Sequence, residues 1–274
     1  MTAPLTDFSR LCLHTITTKP WSLTQIIDGY TRAGIPAVTV WRMHYEDCGA
    51  LEAAKRLRDS GLRIVSLCRG GFFTGTNARE RQEAKDENRR IIDEAAALGT
   101  SLIVLVCGAT PGLPLAEQRQ QILDGIAAVL PHAQAAGVRL SIEPLHPMFA
   151  ADRCAVNTLE QANNMVTALH SDWVGVTVDV YHLWWDPYLK PEIERAGRSI
   201  FSFHVSDWRT PTRDLLNDRG LMGEGCIDIR GIRAWVEATG FHGDIEVEIF
   251  SNWYWEQDQT SFVERIKEAY LTCV

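Results

Sequence analysis

The chain has 274 residues, of which 46% are apolar, and a formal charge of −8 at pH 7. That length suits one α/β barrel of roughly 250 residues or two smaller domains. The acidic balance argues against a nucleic-acid partner, because backbone binding needs a Lys/Arg surface that releases counterions.

Short β-branched runs alternate with amphipathic, Ala-rich stretches, which is the pattern of βα units and a parallel sheet. The first run, 11–15, contains His14 and leads to a helical stretch at 22–33 that Ser22 is placed to cap. Strand 37–41 precedes helix 49–60, strand 63–68 precedes helix 77–98, and strand 101–107 precedes helix 114–136, which Pro114 opens. The second half continues with 138–143 and helix 158–169 behind Thr158, then 174–180 and helix 190–197 with Pro191 in its first turn. Strand 200–205 with helix 228–239 and strand 244–250 with helix 257–270 complete the series. Gly34, Gly61, Gly99, Gly137 and Gly240 each fall between a helix and the next strand, where a left-handed cap is wanted. Eight units in this order, with no glycine-rich phosphate turn after the first strand, predict a single (β/α)8 TIM barrel across residues 1–274.

No apolar stretch approaches the roughly 20 residues that span a bilayer, and the amino terminus lacks a basic segment followed by an apolar one. Seven cysteines are scattered without CxxC spacing, several inside apolar runs. The expectation is a cytoplasmic protein with reduced core cysteines and no membrane partner.

Chemistry in such a barrel sits at the carboxy-terminal strand ends. There the last four strands carry Glu143 before Pro144, Asp179 after Val176-Thr-Val, His204 in Phe203-His-Val, and both Glu246 and Glu248. A carboxylate in an apolar strand is costly to bury alone, so several such groups at one rim point to a shared divalent cation. A salt bridge from Glu143 to an arginine such as Arg153, or a core role for His204, is the ordinary alternative. Side chains alternate along a strand, so Glu246 and Glu248 share a face, and only Glu248 lies near the mouth. Glu246 is expected deeper, as a hydrogen-bonding residue. The metal set is then Glu143, Asp179, His204 and Glu248, a hard site that favours Mn²⁺, with Mg²⁺, Co²⁺ or Zn²⁺ as alternatives. Asp207 is placed to orient His204 or to contact substrate.

Aromatic residues crowd the same end: Trp41, Phe72, Phe73, Trp184, Trp185, Trp208 and the Trp253–Trp255 stretch. They suit either the C–H faces of a sugar or packing within loops and across a homo-oligomer contact. The last loop, 251–258, has no glycine. Barrel phosphate sites usually draw backbone donors there, so an unphosphorylated sugar is expected.

The motifs Ile142-Glu-Pro-Leu, Val178-Asp-Val-Tyr-His, Phe203-His-Val-Ser-Asp, Met222-Gly-Glu-Gly-Cys-Ile-Asp and Phe241-His-Gly-Asp-Ile-Glu-Val-Glu-Ile-Phe span most of the chain. In them the chain resembles the xylose isomerase-like barrels of the sugar phosphate isomerase/epimerase superfamily, especially the D-tagatose 3-epimerase and inosose dehydratase or isomerase branches. The resemblance implies that Glu143, Asp179, His204 and Glu248 hold the metal and that Glu143 and Glu248 double as the acid–base pair. It departs at His146-Pro147, where such epimerases typically carry Asn-Arg, and at Arg209, displaced by one position from the expected arginine. The expected activity is isomerisation or epimerisation of an unphosphorylated keto sugar, a small carbohydrate, by proton transfer through an enediolate. His14, His146, His182, Arg209, Glu224 and Trp185 are the expected substrate contacts. A lyase or dehydratase on an inosose or 3-keto sugar is the alternative, ahead of a metal-dependent endonuclease or a non-catalytic sugar binder.

Overall fold

The computed structural model describes residues 4–274. Eight parallel strands close a barrel: β1 Leu11–His14, β2 Ala37–Trp41, β3 Arg63–Gly71, β4 Leu102–Val106, β5 Arg139–Glu143, β6 Val174–Asp179, β7 Ile200–Val205 and β8 Ile245–Val247. Each pairs with its successor and β8 returns to β1, so the expected TIM barrel is the fold observed. Outside it run α1 Leu23–Arg32, α2 Ala50–Asp59, α3 Ala78–Leu98, α4 Leu115–Ala136, α5 Leu159–Leu169, α6 Leu189–Ala196, α7 Ile229–Ala238 and α8 Gln259–Cys273.

Local chemistry accounts for these elements. The β4 run Leu-Ile-Val-Leu-Val is buried throughout, as a strand enclosed on both faces must be. Ser22 accepts a hydrogen bond from the Gln25 backbone N–H while the Gln25 side chain accepts one from Ser22, closing a capping box at the start of α1. Gly99 and Gly137 adopt φ of 81° and 71° after α3 and α4, where a side chain would be strained.

Most strand ends fall within a residue of expectation, but two differ by more, and both shape the site. The 244–250 run stops pairing at Val247, because the Thr17 hydroxyl donates to the Val247 carbonyl (3.1 Å) and accepts from the Ile249 N–H (3.0 Å). Glu248 is thereby left just past the ladder. Conversely, β3 runs on to Gly71, where φ is 110° and a side chain would collide with the Val106 backbone. The Asn88 amide of α3 clamps this end, accepting from Gly71 N–H at 2.7 Å and donating to Gly71 O at 2.6 Å. Replacing Asn88 by Ala is expected to cost about 1–3 kcal/mol, the penalty for a buried backbone pair left unmade. Urea unfolding checks this, and an unchanged midpoint would remove Asn88 from the account.

Between β7 and α7 lies an element the sequence did not announce, an antiparallel ribbon pairing Asp207–Trp208 with Arg219–Gly220. All seven cysteines are free, but not all are core residues: Cys48 and Cys226 are exposed because they fall in loops rather than strands. Among the described residues, no helix is long and apolar enough to cross a membrane.

Candidate metal centre and active site

Strand register assembles the centre. Asp179 on β6 lies opposite His204 on β7, and His204 lies opposite Glu246 on β8. Glu143 ends β5, and Glu248 follows β8 with its N–H on the Val205 carbonyl at 3.2 Å. One ligand atom from each of Glu143, Asp179, His204 and Glu248 comes within 4.8 Å of the other three, and all four residues are buried. Asp179 uses Oδ1 to cap a short helix, Val180–Leu183, through the Tyr181 N–H at 2.8 Å, and its Oδ2 meets Arg219 on the opposite side.

A cation fits this donor set. Glu143 Oε1 and His204 Nδ1 face each other at 3.1 Å, yet neither has a hydrogen-bond partner among the described residues. Buried polar atoms are nearly always partnered, so two orphans aimed at one point beside two further carboxylates are what a hard divalent ion would satisfy. Two other clusters, His14 with Cys68 and Glu248, and His14 with His204 and Glu246, are already linked internally by contacts from His14 to the carboxylates at 2.9 and 3.1 Å.

Glu246 lies beneath, in the hydrogen-bonding role expected of it. It accepts from Thr39 Oγ1 (2.5 Å), Ser66 Oγ (3.3 Å) and Ser202 Oγ, and it meets His14 Nε2 at 3.1 Å. Burial alone would raise its carboxyl, but His204, His14 and Ser202 outweigh that and hold it at about 2. Burial likewise pulls His14 down, while Glu248 and Glu246 overcome it and raise the imidazole to about 9. Glu248 is held well below the usual carboxylate range by His14 and Arg219 in spite of burial. Glu143 and Asp179 are pushed upward, chiefly by burial. The four carboxylates thus separate into two that favour ionisation and two that resist it without a cation.

Arg219 is the functional-site residue that sequence reasoning missed. From the ribbon its Nη1 donates to Glu248 Oε2 (2.8 Å) and Asp179 Oδ2 (3.1 Å), and Nη2 lies 3.0 Å from His182 Nε2. Its guanidinium lies over the Tyr181 ring at 4.4 Å. The arginine expected here was Arg209, which instead stands over Tyr254 at 6.0 Å and 3.8 Å from Glu224. Glu224 in turn accepts from Tyr254 Oη at 2.6 Å and pairs with Arg265 at 3.2 Å. Arg209 and Glu224 therefore form a loop cluster and line neither cavity described below, because the ribbon folds the later arginine, not the earlier one, over the barrel. No spacing rule marks Arg219; only the antiparallel partner Trp208 brings it in. Asp207 does not reach His204 either. It accepts from the N–H groups of Gly223 and Gly225 (2.9 Å each) and Ile227 (3.0 Å), pinning the returning loop.

The remaining expected contacts divide by depth. His14 is fully buried below the ligands, with Glu248 Oε1 at 2.9 Å and Trp41 Nε1 at 3.2 Å from its Nδ1. His182 is buried, and desolvation together with Arg219 keeps its imidazole neutral far below the ordinary value. Its Nδ1 accepts from the His146 N–H at 3.2 Å, and its carbonyl accepts from Trp185 Nε1 at 2.8 Å. His146 packs between Trp185 and Trp208, with ring centroids at 5.7 and 4.8 Å. His146 and Trp185 thus support His182 from behind. A throat of about 80 Å³ is lined by Glu143, Glu248, His182 and Arg219, and it shares Trp41 and Phe250 with a larger cavity of about 570 Å³.

Comparison with known proteins agrees with this architecture. The chain is 24% identical to an inosose isomerase of Bacillus velezensis, over 95% of each chain. It is 27% identical to a 3-dehydroshikimate dehydratase of Pseudomonas putida, over 84% of this chain but 36% of that longer protein. Among solved structures, protein SMc04130 of Sinorhizobium meliloti superposes with a TM-score of 0.94 at 46% identity, covering 97% of this chain and 99% of the other. The IOLI protein, solved with a bound zinc atom, superposes with a TM-score of 0.82 at 22% identity, covering 95% and 96%. The family model for xylose isomerase-like TIM barrels matches residues 29–268, and the chain belongs to that family.

Proposed function

We propose that the protein is a divalent-metal-dependent isomerase or epimerase that moves a proton beside the carbonyl of an unphosphorylated keto sugar. The observation that carries this is the convergence of Glu143, Asp179, His204 and Glu248, in which two carboxylates sit in opposed electrostatic settings. Those four residues would hold the cation, which supplies Lewis-acid polarisation of a carbonyl and its neighbouring hydroxyl when bound. One of Glu143 and Glu248 takes the carbon-bound proton and the other returns it, and His14 and Arg219 hold Glu248 in its ionised form. Arg219 fixes the orientation of Glu248 and Asp179, and Trp41 and Phe250 wall the throat against water. Mn²⁺ is the proposed ion, and the zinc-bound IOLI structure supports a metal without choosing it.

The dehydratase relative supports a second outcome at the same site, in which a hydroxyl leaves in place of proton return. The test is incubation of the Mn²⁺-loaded protein in deuterated water with ketoses, inososes and 3-keto-glycosides, followed by mass spectrometry and NMR. Deuterium beside the carbonyl without loss of water supports the isomerase. Loss of water assigns the dehydratase, and neither change in any substrate overturns both.

Metal binding is separately measurable. Mn²⁺ at about 100 times its Kd is expected to add about 2.7 kcal/mol of stability, which raises the melting temperature by roughly 5 °C or more, reversibly with chelator. A melting curve indifferent to both would remove the cation.

A further inference from the structure

Two arginines in the wall shared by the throat and the larger cavity are left unused by the proposed reaction. Arg69, on the end of β3, lies with its guanidinium 4.3 Å from the Phe72 ring centroid and 6.0 Å from that of Trp41. Arg153, in the loop after β5, lies 5.8 Å from the Phe149 ring. Both line the larger cavity and also the throat, where Glu143 and Glu248 lie. Among the described residues neither is paired with a carboxylate, whereas Arg42, in the same larger cavity, is matched to Glu87 and Glu94 at 2.8 Å each. Stacking on a ring fixes the plane of a guanidinium and leaves its N–H edge for a planar anion.

Charge points the same way. The Arg69 guanidinium is disfavoured by its burial and by Arg153, and Cys68, Glu143 and Glu248 offset this only in part. Those carboxylates are the ones a cation would take. The three ligand carboxylates, a dication and Arg219 cancel formally, so the two wall arginines remain as uncompensated positive charge facing the substrate space.

We infer that the substrate carries a carboxylate remote from its reacting carbonyl, bound by Arg69 and Arg153, so that it is a keto-sugar acid and not a neutral ketose. This rests on the proposed proton transfer beside a carbonyl. A carboxylate matches the guanidinium fork, and the glycine-free 251–258 loop lacks the backbone cradle that barrel phosphate sites use. The larger cavity, about 570 Å³, lies within the range of small-molecule sites, roughly 300–1,000 Å³.

Three probes that differ only at the sixth carbon test this: D-fructuronate, D-fructose and D-fructose 6-phosphate, titrated calorimetrically into the Mn²⁺-loaded protein. Fructuronate is expected to bind about tenfold tighter than fructose or better, as charge-assisted hydrogen bonds would give. Arg69→Gln and Arg153→Gln should each erase the preference of fructuronate over fructose, and Arg153→Lys should retain part of it. Melting curves of every variant establish that it is folded, and the lysine variant keeps the test decisive where a glutamine variant is not. Fructuronate binding no tighter than fructose overturns the inference, and so does a preference for the phosphate. Deuterium wash-in to the ketose, measured in parallel, separates the two claims. Exchange without acid preference leaves the reaction and removes the acid; acid preference without exchange does the reverse.

Discussion

Glu143→Gln and Glu248→Gln are each expected to lower solvent-deuterium exchange into substrate by about 10²–10⁴-fold, the range that a positioned general acid or base contributes. Glutamine keeps the shape of each side chain and its oxygen, and it removes the proton-carrying group. Because both residues also belong to the proposed metal set, the comparison must be made at saturating Mn²⁺, with metal affinity measured alongside. Asp179→Asn is the informative partner, since Asp179 lies in the same cluster but is assigned no proton. It should bind metal more weakly and regain exchange as metal is raised, whereas the two glutamine variants should not. Exchange by either glutamine variant close to that of the wild type at saturating metal would falsify the acid–base assignment.

Glu246→Ala carries the largest expected cost in stability, about 3–5 kcal/mol, because it strips the shared acceptor from Thr39, Ser66, Ser202 and His14 in a sealed layer. The pH dependence of the metal-free protein gives an independent check. The Glu246 carboxyl is lowered from 4.5 to about 2, so its contribution, on the order of 3 kcal/mol, is present above pH 4.5 and is lost as pH falls toward 2. The His14 imidazole is raised from 6.5 to about 9, so its contribution is complete below pH 6.5 and is lost as pH rises through 9. Both contributions are therefore whole between about pH 4.5 and 6.5. Glu246→Gln should lose its own share of the acid-side fall, leaving that of Glu248, and flatten part of the alkaline one. Denaturant titrations across pH read this directly, and an acid limb unchanged in Glu246→Gln would show that the buried layer is not what senses protons.

The two parts of the site were legible to different degrees. Asp179 and His204 could be found because each sits at the end of an apolar strand, where a polar residue is conspicuous. Choosing Glu248 over Glu246 followed from alternation and from nearness to the barrel mouth, and in the structure Glu246 is the deeper of the two, sealed by hydroxyls. Arg209 and Glu224 were drawn into the expected contact set by their place near a motif, and their side chains close on Tyr254 and Arg265 instead. His182, one of the expected substrate contacts, stands on a one-turn helix that Asp179 itself caps.

What the sequence determined by itself was the barrel and the order of its parts, since strand patterning, Ser22 and the helix-ending glycines act over a few residues of chain. The tertiary structure alone decided which cation-bearing side chains face the centre. Arg219 arrives there through a ribbon closed across ten intervening residues, and Arg69 through a strand end held open by Gly71 and Asn88. Such placements depend on contacts between segments distant along the chain, and local propensity carries no record of which distant surface a side chain will meet.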